Sequence, residues 1–169
     1  MSPRAAVGLG ANLGDRLAAL QRAVDELADS GRVVAVSAVY ETAPVGGPAQ
    51  PDFLNAVVVV ETSLPADQLL GRCQRIEHTA GRVRGERWGP RVLDLDLIAY
   101  DDAVSVDPLL TLPHPRAAER AFVLVPWLDA DPDATLDGLP LRRLIEELDS
   151  SGVRRTDHVL TVGAGRRPT

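Results

Sequence analysis

The sequence predicts an α+β fold built on one antiparallel sheet. Three observations predict it. Between Ala5 and Tyr100 the patterns run strand, helix, strand, strand, helix, strand. The two middle strands are joined by a long proline- and glycine-rich loop rather than a crossover helix, so they form a wide antiparallel hairpin. Leu93, Leu95, Leu97 and Ala99 alternate with Asp94, Asp96 and Ile98, the period of a strand with one buried face.

Ala5 to Leu9 is a short apolar run and the first strand. GLGANLGDR, Gly8 to Arg16, follows. It misses the dinucleotide fingerprint, because the third glycine would fall at Leu13 and Gly14 is one place late. It reads instead as a tight strand-to-helix turn, with Asn12 as N-cap. Leu13, Leu17, Leu20, Val24 and Leu27 recur at helical spacing, and Gly31 closes the helix. Val33 to Tyr40 is β-branched and extended. Glu41 to Phe53, ETAPVGGPAQPDF, is loop, of the kind that binds or covers ligands. Leu54 to Thr62 is a strong strand, with Phe53 and Asn55 on one face at its mouth. Phe53 suits core packing, and beside an amide it also suits a planar heterocycle. Pro65 opens a second helix to about Thr79. In it Gln74 and Glu77 share a face, read as solvated or as a polar wall near a nucleotide. The Asp94–Asp96 strand completes the β-α-β-β-α-β split pattern of ferredoxin-like folds. That pattern places both helices on one sheet face and leaves the other open, with Asn55, Asp94 and Asp96 directed to it. Beyond it come a short strand at Val104 to Val106, a helix over Arg116 to Leu128 interrupted at Pro126, and an amphipathic helix over Leu141 to Leu148.

With 169 residues, 45% hydrophobic and 25% charged, the chain is read as one domain over 1–169 with a flexible tail from about residue 163. A single cysteine, Cys73, excludes an intrachain disulfide framework and reads as core. No apolar run approaches the ~20 residues of a membrane span. The N-terminus lacks the apolar stretch of a signal peptide, so a cytoplasmic location is expected. A net charge of −6 argues against a general nucleic-acid binder. All 18 basic residues are arginine. A phosphate loop of the lysine type and Schiff-base chemistry are therefore excluded.

The stretch Gly81 to Tyr100, GRVRGERWGPRVLDLDLIAY, carries the strongest chemical signal. Carboxylates at i and i+2 suit Mg²⁺, which takes one or two carboxylates and leaves positions for phosphate oxygens. Arg82, Arg84, Arg87 and Arg91 offer planar forks that match phosphate, with Trp88 among them. Asp-x-Asp alone also fits a half-solvated antiparallel strand. The arginine and tryptophan loop before it favours a metal–polyphosphate site. His114, between two prolines, lies close in sequence to Arg116 and Arg120 and adds cationic donors. A nucleic-acid module and a regulatory small-molecule domain compete on the same fold. Neither accounts for two aspartates beside so many arginines, and Mg²⁺-dependent polyphosphate binding separates the metal–polyphosphate reading from both.

The chain resembles the 6-hydroxymethyl-7,8-dihydropterin pyrophosphokinases of folate biosynthesis. The resemblance rests on GLGANLGDR at 8–16, ETAPVGGPAQPDFLNAV at 41–57, GRVRGERWGPRVLDLDLI at 81–98 and LPHPRAAERAFVLVPW at 112–127. It implies a ferredoxin-like α+β fold and transfer of pyrophosphate from ATP to the pterin hydroxymethyl group, leaving AMP. It implies that Asp94 and Asp96 hold two Mg²⁺ ions, Asp94 also lying at the pterin. Arg82, Arg84, Arg91, His114 and Arg120 would contact phosphates, and Trp88 would help close a loop over ATP. Phe53 and Phe122 would sandwich the pterin, and Asn55 with backbone groups of Thr42 and Val45 would read its edge. Gln74, Glu77 and Ile98 would lie near the nucleotide. Asp96 is the candidate to take the hydroxyl proton. The chain departs from common members at Ala11, Ala43, Phe53 and Pro115, none a proposed metal ligand or phosphate cation. A monomer is expected, with no nucleic-acid or membrane partner and no fused synthase domain.

Overall fold

The computed structural model describes residues 2–44, 47–81 and 92–163. The elements that carry the site come first in the chain. Strand β1 is Arg4–Ala11, helix α1 Arg16–Leu27, strands β2 and β3 Arg32–Val36 and Tyr40–Thr42, strand β4 Phe53–Glu61, helix α2 Ala66–Thr79 and strand β5 Asp94–Tyr100. The hairpin β6 (Ser105–Asp107) and β7 (Leu110–Leu112) follows, then helix α3 (Ala121–Ala130), a second hairpin of β8 (Thr135–Leu136) and β9 (Leu139–Pro140), helix α4 (Leu141–Glu146) and β10 (Arg154–Arg155). The main sheet runs β10-β3-β4-β1-β5, with β2 also paired to β4, and every pairing in it is antiparallel. This is the ferredoxin-like order expected from the split pattern, with a C-terminal strand added at one edge.

Residue alternation sorts the sheet into two faces. Ala5, Val7, Leu9 and Ala11 of β1, Leu54, Ala56, Val58 and Val60 of β4, and Leu95 and Leu97 of β5 bury against α1 and α2. Leu20, Leu27, Leu69 and Cys73 face them from the helices, each fully buried. The opposite face carries Ala6, Val57 and Ile98, which pack under Val123, Leu124 and Trp127 of α3. That face is therefore not wholly open, as the sequence suggested. α3 covers the half towards the start of β1 and leaves the half towards Gly10.

Several local expectations need correction. The second strand is broken. Ser37–Val39 leave the ladder, where the Ser37 hydroxyl accepts from the Val57 N–H at 2.9 Å and Asp129 accepts from the Ala38 N–H at 2.8 Å. Asn12 is not the cap of α1. Asp15 is, accepting from the Ala18 N–H at 3.0 Å. Gly31 lies beyond the end of α1, and a Cβ there would collide with the Glu61 carbonyl oxygen. Ala99 does not share the face of Leu97. The register slips between Ala6 and Val7, so that Leu97 pairs Val7 and Ala99 pairs Ala6, leaving Ile98 as the bulged residue. The bulge turns both Ile98 and Ala99 towards the α3 cluster. The helix predicted from Arg116 begins instead as a 3₁₀ turn at Ala117–Glu119, and α3 then runs straight through Pro126. Pro126 supplies no N–H for the Phe122 carbonyl one turn earlier.

Candidate active site

The uncovered half of the sheet face is organised by one cross-strand row. Gly10 of β1 pairs with Asn55 of β4 on one side and with Asp94 of β5 on the other. One step along, Gly8 stands between Val57 and Asp96. Both central positions lack a side chain. The floor between the carboxylates and the amide thus carries no side chain of its own, between strands about 4.8 Å apart, and the Ile98 side chain leans over it at Gly8. A Cβ on Gly10 would lie 3.2 Å from Asn55 Oδ1 and 3.7 Å from Phe53 Cδ1, so both of those side chains lean over it.

Asn55 is buried, and its Nδ2 donates to Thr42 Oγ1 at 2.6 Å. Thr42 is itself buried and pairs with Phe53 in the ladder. These three residues form one compact wall. Phe53 keeps part of its ring accessible, as does Phe122 in the first turn of α3. The Arg120 guanidinium sits over the Phe122 ring, 5.6 Å from its centre. Asp94 and Asp96 are half-buried on the same face of β5.

His114 is held at β5, which β1 separates from this wall. Its backbone N–H donates to the Ile98 carbonyl at 2.8 Å, which anchors the loop to the bulge. Its Nδ1 accepts from the Arg116 N–H at 3.2 Å, so the neutral ring carries its proton on Nε2. Burial first, then the charges of Arg120 and Arg116, lowers the His114 pKa below its ordinary value, against an opposing pull from Asp94. A neutral imidazole with Nε2–H is a hydrogen-bond donor to an anion that does not require an added charge.

The sequence-predicted residues divide in three. Thr42, Phe53, Asn55, Asp94, Asp96, His114, Arg120 and Phe122 come from four separate chain segments to one side of the sheet. Val45, Arg82, Arg84, Trp88 and Arg91 lie outside the described residues. Gln74, Glu77 and Ile98 sit differently from the rest. Gln74 is exposed on α2. Glu77 is not on a solvated face. It is buried, and its Oε1 accepts from the Leu95 N–H at 2.9 Å, between the two aspartates of β5. Ile98 has its side chain in the α3 cluster.

Asp94 and Asp96 suit a hard cation that keeps waters and takes phosphate oxygens. Among the described residues no group of three or more histidine, cysteine, aspartate or glutamate side chains is placed to hold a metal by itself. A two-carboxylate site of this kind fits Mg²⁺ delivered with a nucleotide, and does not fit a closed all-protein cage.

Sequence reasoning missed the residues that brace this wall. Asn12 is buried, and its Nδ2 donates to Gln50 Oε1 and to the Pro51 carbonyl, both at 2.9 Å. Arg16 reaches Glu41 and the Asp52 carbonyl. A separate cavity of about 730 Å³ opens at the far end of the same face, lined by Arg4, Ala6, Val59, Asp101 and Trp127 among others. It contains none of the residues above.

Residues 6–132 match the family described as 7,8-dihydro-6-hydroxymethylpterin-pyrophosphokinase (HPPK). The chain is 47% identical over 156 residues to the 2-amino-4-hydroxy-6-hydroxymethyldihydropteridine pyrophosphokinase of Methylorubrum extorquens, covering 91% of this chain and 99% of that one. It is 48% identical over 175 residues to the protein of the same name from Mycobacterium leprae, covering 93% and 91%. Among solved structures it resembles an HPPK-DHPS chain in complex with substrates, with a TM-score of 0.67 at 13% identity. The wild-type HPPK-DHPS of Plasmodium falciparum gives 0.64 at 15% identity. The match covers 86% of this chain in both cases, but only 43% and 44% of those longer chains, and supports the fold alone. The chain belongs to the 7,8-dihydro-6-hydroxymethylpterin-pyrophosphokinase family.

Proposed function

We propose that this protein transfers pyrophosphate from ATP to 6-hydroxymethyl-7,8-dihydropterin, a step of folate synthesis, releasing AMP. The observation that carries the reading is the row Asp94–Gly10–Asn55. A carboxylate and an amide on opposite sides of a glycine backbone support the reading of a cation on one side and a planar ring on the other. The reacting oxygen and the phosphates meet over that floor.

The pterin ring lies between Phe53 and Phe122, and Asn55 reads its edge with backbone groups of Thr42 and Val45. Stacking on two aromatic faces orients a flat heterocycle with little loss of side-chain entropy. Asp94 and Asp96 would hold two Mg²⁺ ions, Asp94 from beside the pterin, and the metal would supply neutralisation of phosphate charge there. Arg82, Arg84, Arg91, His114 and Arg120 contact phosphates, Trp88 helps cover the nucleotide, and Gln74, Glu77 and Ile98 belong to its surroundings. The pterin hydroxyl oxygen attacks the β-phosphorus, the bond from that phosphorus to the α–β bridging oxygen breaks, and AMP leaves with that oxygen. The hydroxyl proton passes to Asp96 or to solvent. Positioning and charge neutralisation supply most of the rate, and no covalent nucleophile is needed.

Product analysis tests the reaction. Protein, ATP, Mg²⁺ and 6-hydroxymethyl-7,8-dihydropterin should give AMP and pterin diphosphate in equal amounts. ADP in place of AMP would mean γ-phosphoryl transfer and a wrong assignment. A folded protein that binds ATP and makes neither would return the reading to a binding module.

A further inference from the structure

The loop that enters the pterin wall leaves β3 after Thr42 and returns to β4 at Phe53. Two arginines, distant in sequence from each other, tie its two stems together. Arg16, the first residue of α1, donates from one nitrogen to Glu41 Oε2 and to the Asp52 carbonyl, both at 2.9 Å. Arg154, on the C-terminal strand β10, donates from one nitrogen to Glu41 Oε1 at 3.4 Å and to Asp52 Oδ2 at 3.0 Å. Each guanidinium therefore spans both stems. The Glu41 carboxylate is held on both oxygens, and Asp52 through its carbonyl and its side chain.

Strand β10 has a structural reason to be there. It pairs with β3 at the sheet edge, Arg154 opposite Glu41 and Arg155 opposite Tyr40. The Thr156 N–H and hydroxyl both reach the Val39 carbonyl, at 2.9 and 2.8 Å. Leu160 is buried in the core beneath α1, and the Thr161 N–H donates to Gln21 Oε1 at 2.9 Å. The terminal segment is thus anchored at Arg154 and beyond it, and the arginine is delivered to the stems rather than left to wander.

We infer that Arg16 and Arg154 are positioning residues for the pterin, acting through Glu41 and Asp52 on their chain neighbours Thr42 and Phe53. This rests on the pyrophosphokinase reading above. The bonds are partly solvated, with the Arg154 side chain 58% exposed and that of Arg16 30% exposed. Single exposed ion pairs add little to global stability. What these four residues fix is the register of two stems whose next residues line the site. The effect belongs in substrate affinity and not in melting temperature.

The test uses the full chain with Arg16→Ala, Arg154→Ala, the double variant and Arg154→Lys. Arg154→Ala should raise KM for the pterin about fivefold, with KM for ATP and kcat within about twofold of the parent. The double variant should exceed the product of the single effects, because each arginine bridges the same two stems. Arg154→Lys should recover part of the loss, since a point charge reaches one carboxylate and not the fork. Unchanged pterin KM in all four variants overturns the inference. So does a parallel loss in both KM values, kcat and melting temperature, which marks a merely structural role. If the parent chain makes no AMP, the proposed reaction is what fails. Thermolysin cleavage within 43–52 then decides the clamp. Faster cleavage in the arginine variants supports it, and equal cleavage overturns it.

Discussion

Gly10 is the cross-strand partner of Asn55, and a methyl group on it would stand 3.2 Å from Asn55 Oδ1. That distance is tighter than an ordinary contact. The amide would have to move by a few tenths of an ångström, dragging on its 2.6 Å bond to Thr42. Small misplacements of a positioning group are costly to catalysis even when the fold tolerates them. Gly10→Ala should raise KM for the pterin about tenfold while stability holds, because alanine is the better strand residue by roughly 0.5 kcal/mol or more. Steady-state kinetics for each substrate beside a melting curve checks it. An unchanged pterin KM would mean that the glycine serves only the strand.

Asp94 and Asp96 share one face of β5 and together define the proposed cation site. Replacing either by asparagine keeps shape and removes charge. AMP formation should fall by at least about a thousandfold for each. Far-UV circular dichroism should stay that of the parent. Raising Mg²⁺ should recover part of the activity of the single variants. A variant with parental turnover would remove that aspartate from the metal site.

Glu77 separates structural from catalytic need. Its Oε1 takes the Leu95 N–H on the outer edge of β5, in the interior of the protein. Glu77→Ala leaves that donor buried and unpaired, which costs about 1–3 kcal/mol. At the size of this domain, that is a fall in melting temperature of roughly 2–4 °C per kcal/mol. Glu77→Gln keeps an acceptor and should lose less. Equal stability of Glu77→Ala and the parent, by denaturant titration, would show that the bond contributes nothing.

Cys73 predicts an alkaline limit. Burial, with a smaller push from Asp96, raises its pKa from an ordinary 9.0 to about 12. In the unfolded chain the thiol ionises first. The stabilisation from keeping it neutral is complete below 9.0 and is lost as the pH rises through 9.0 towards about 12. Tyr40 and Tyr100, both raised mainly by burial, act in the same direction. Unfolding free energy should therefore decline more steeply above about pH 9 in the parent than in Cys73→Ala. The thiol should also react with a disulfide reagent only after unfolding, since the thiolate is the nucleophile. Rapid labelling of the native protein at neutral pH would contradict the burial.

The sequence alone was enough for the strand and helix order, the ferredoxin-like class and the face that carries Asp94, Asp96 and Asn55. Period-two and period-3.6 burial are local properties, written residue by residue, and Leu93 to Ile98 displays its two faces without any partner being known. The family motifs supplied the candidate site residues in the same way. Long-range geometry was not legible. The bulge at Ile98, which carries Ala99 to the second core, arises from pairing with β1 and leaves no mark in the alternation. α3 runs through Pro126 because Val123, Leu124 and Trp127 are buried on the sheet, where packing outweighs one missing hydrogen bond. Glu77 looked solvated because its partner is a backbone N–H on another element. Arg16 and Arg154 are separated by nearly the whole chain, and only the sheet edge brings them to the same pair of stems. Local patterns decide which face a residue takes, and tertiary pairing decides whom it meets there. A motif shows the chemistry available, while the register of β1 against β4 and β5 determines that the amide and the carboxylates share one floor.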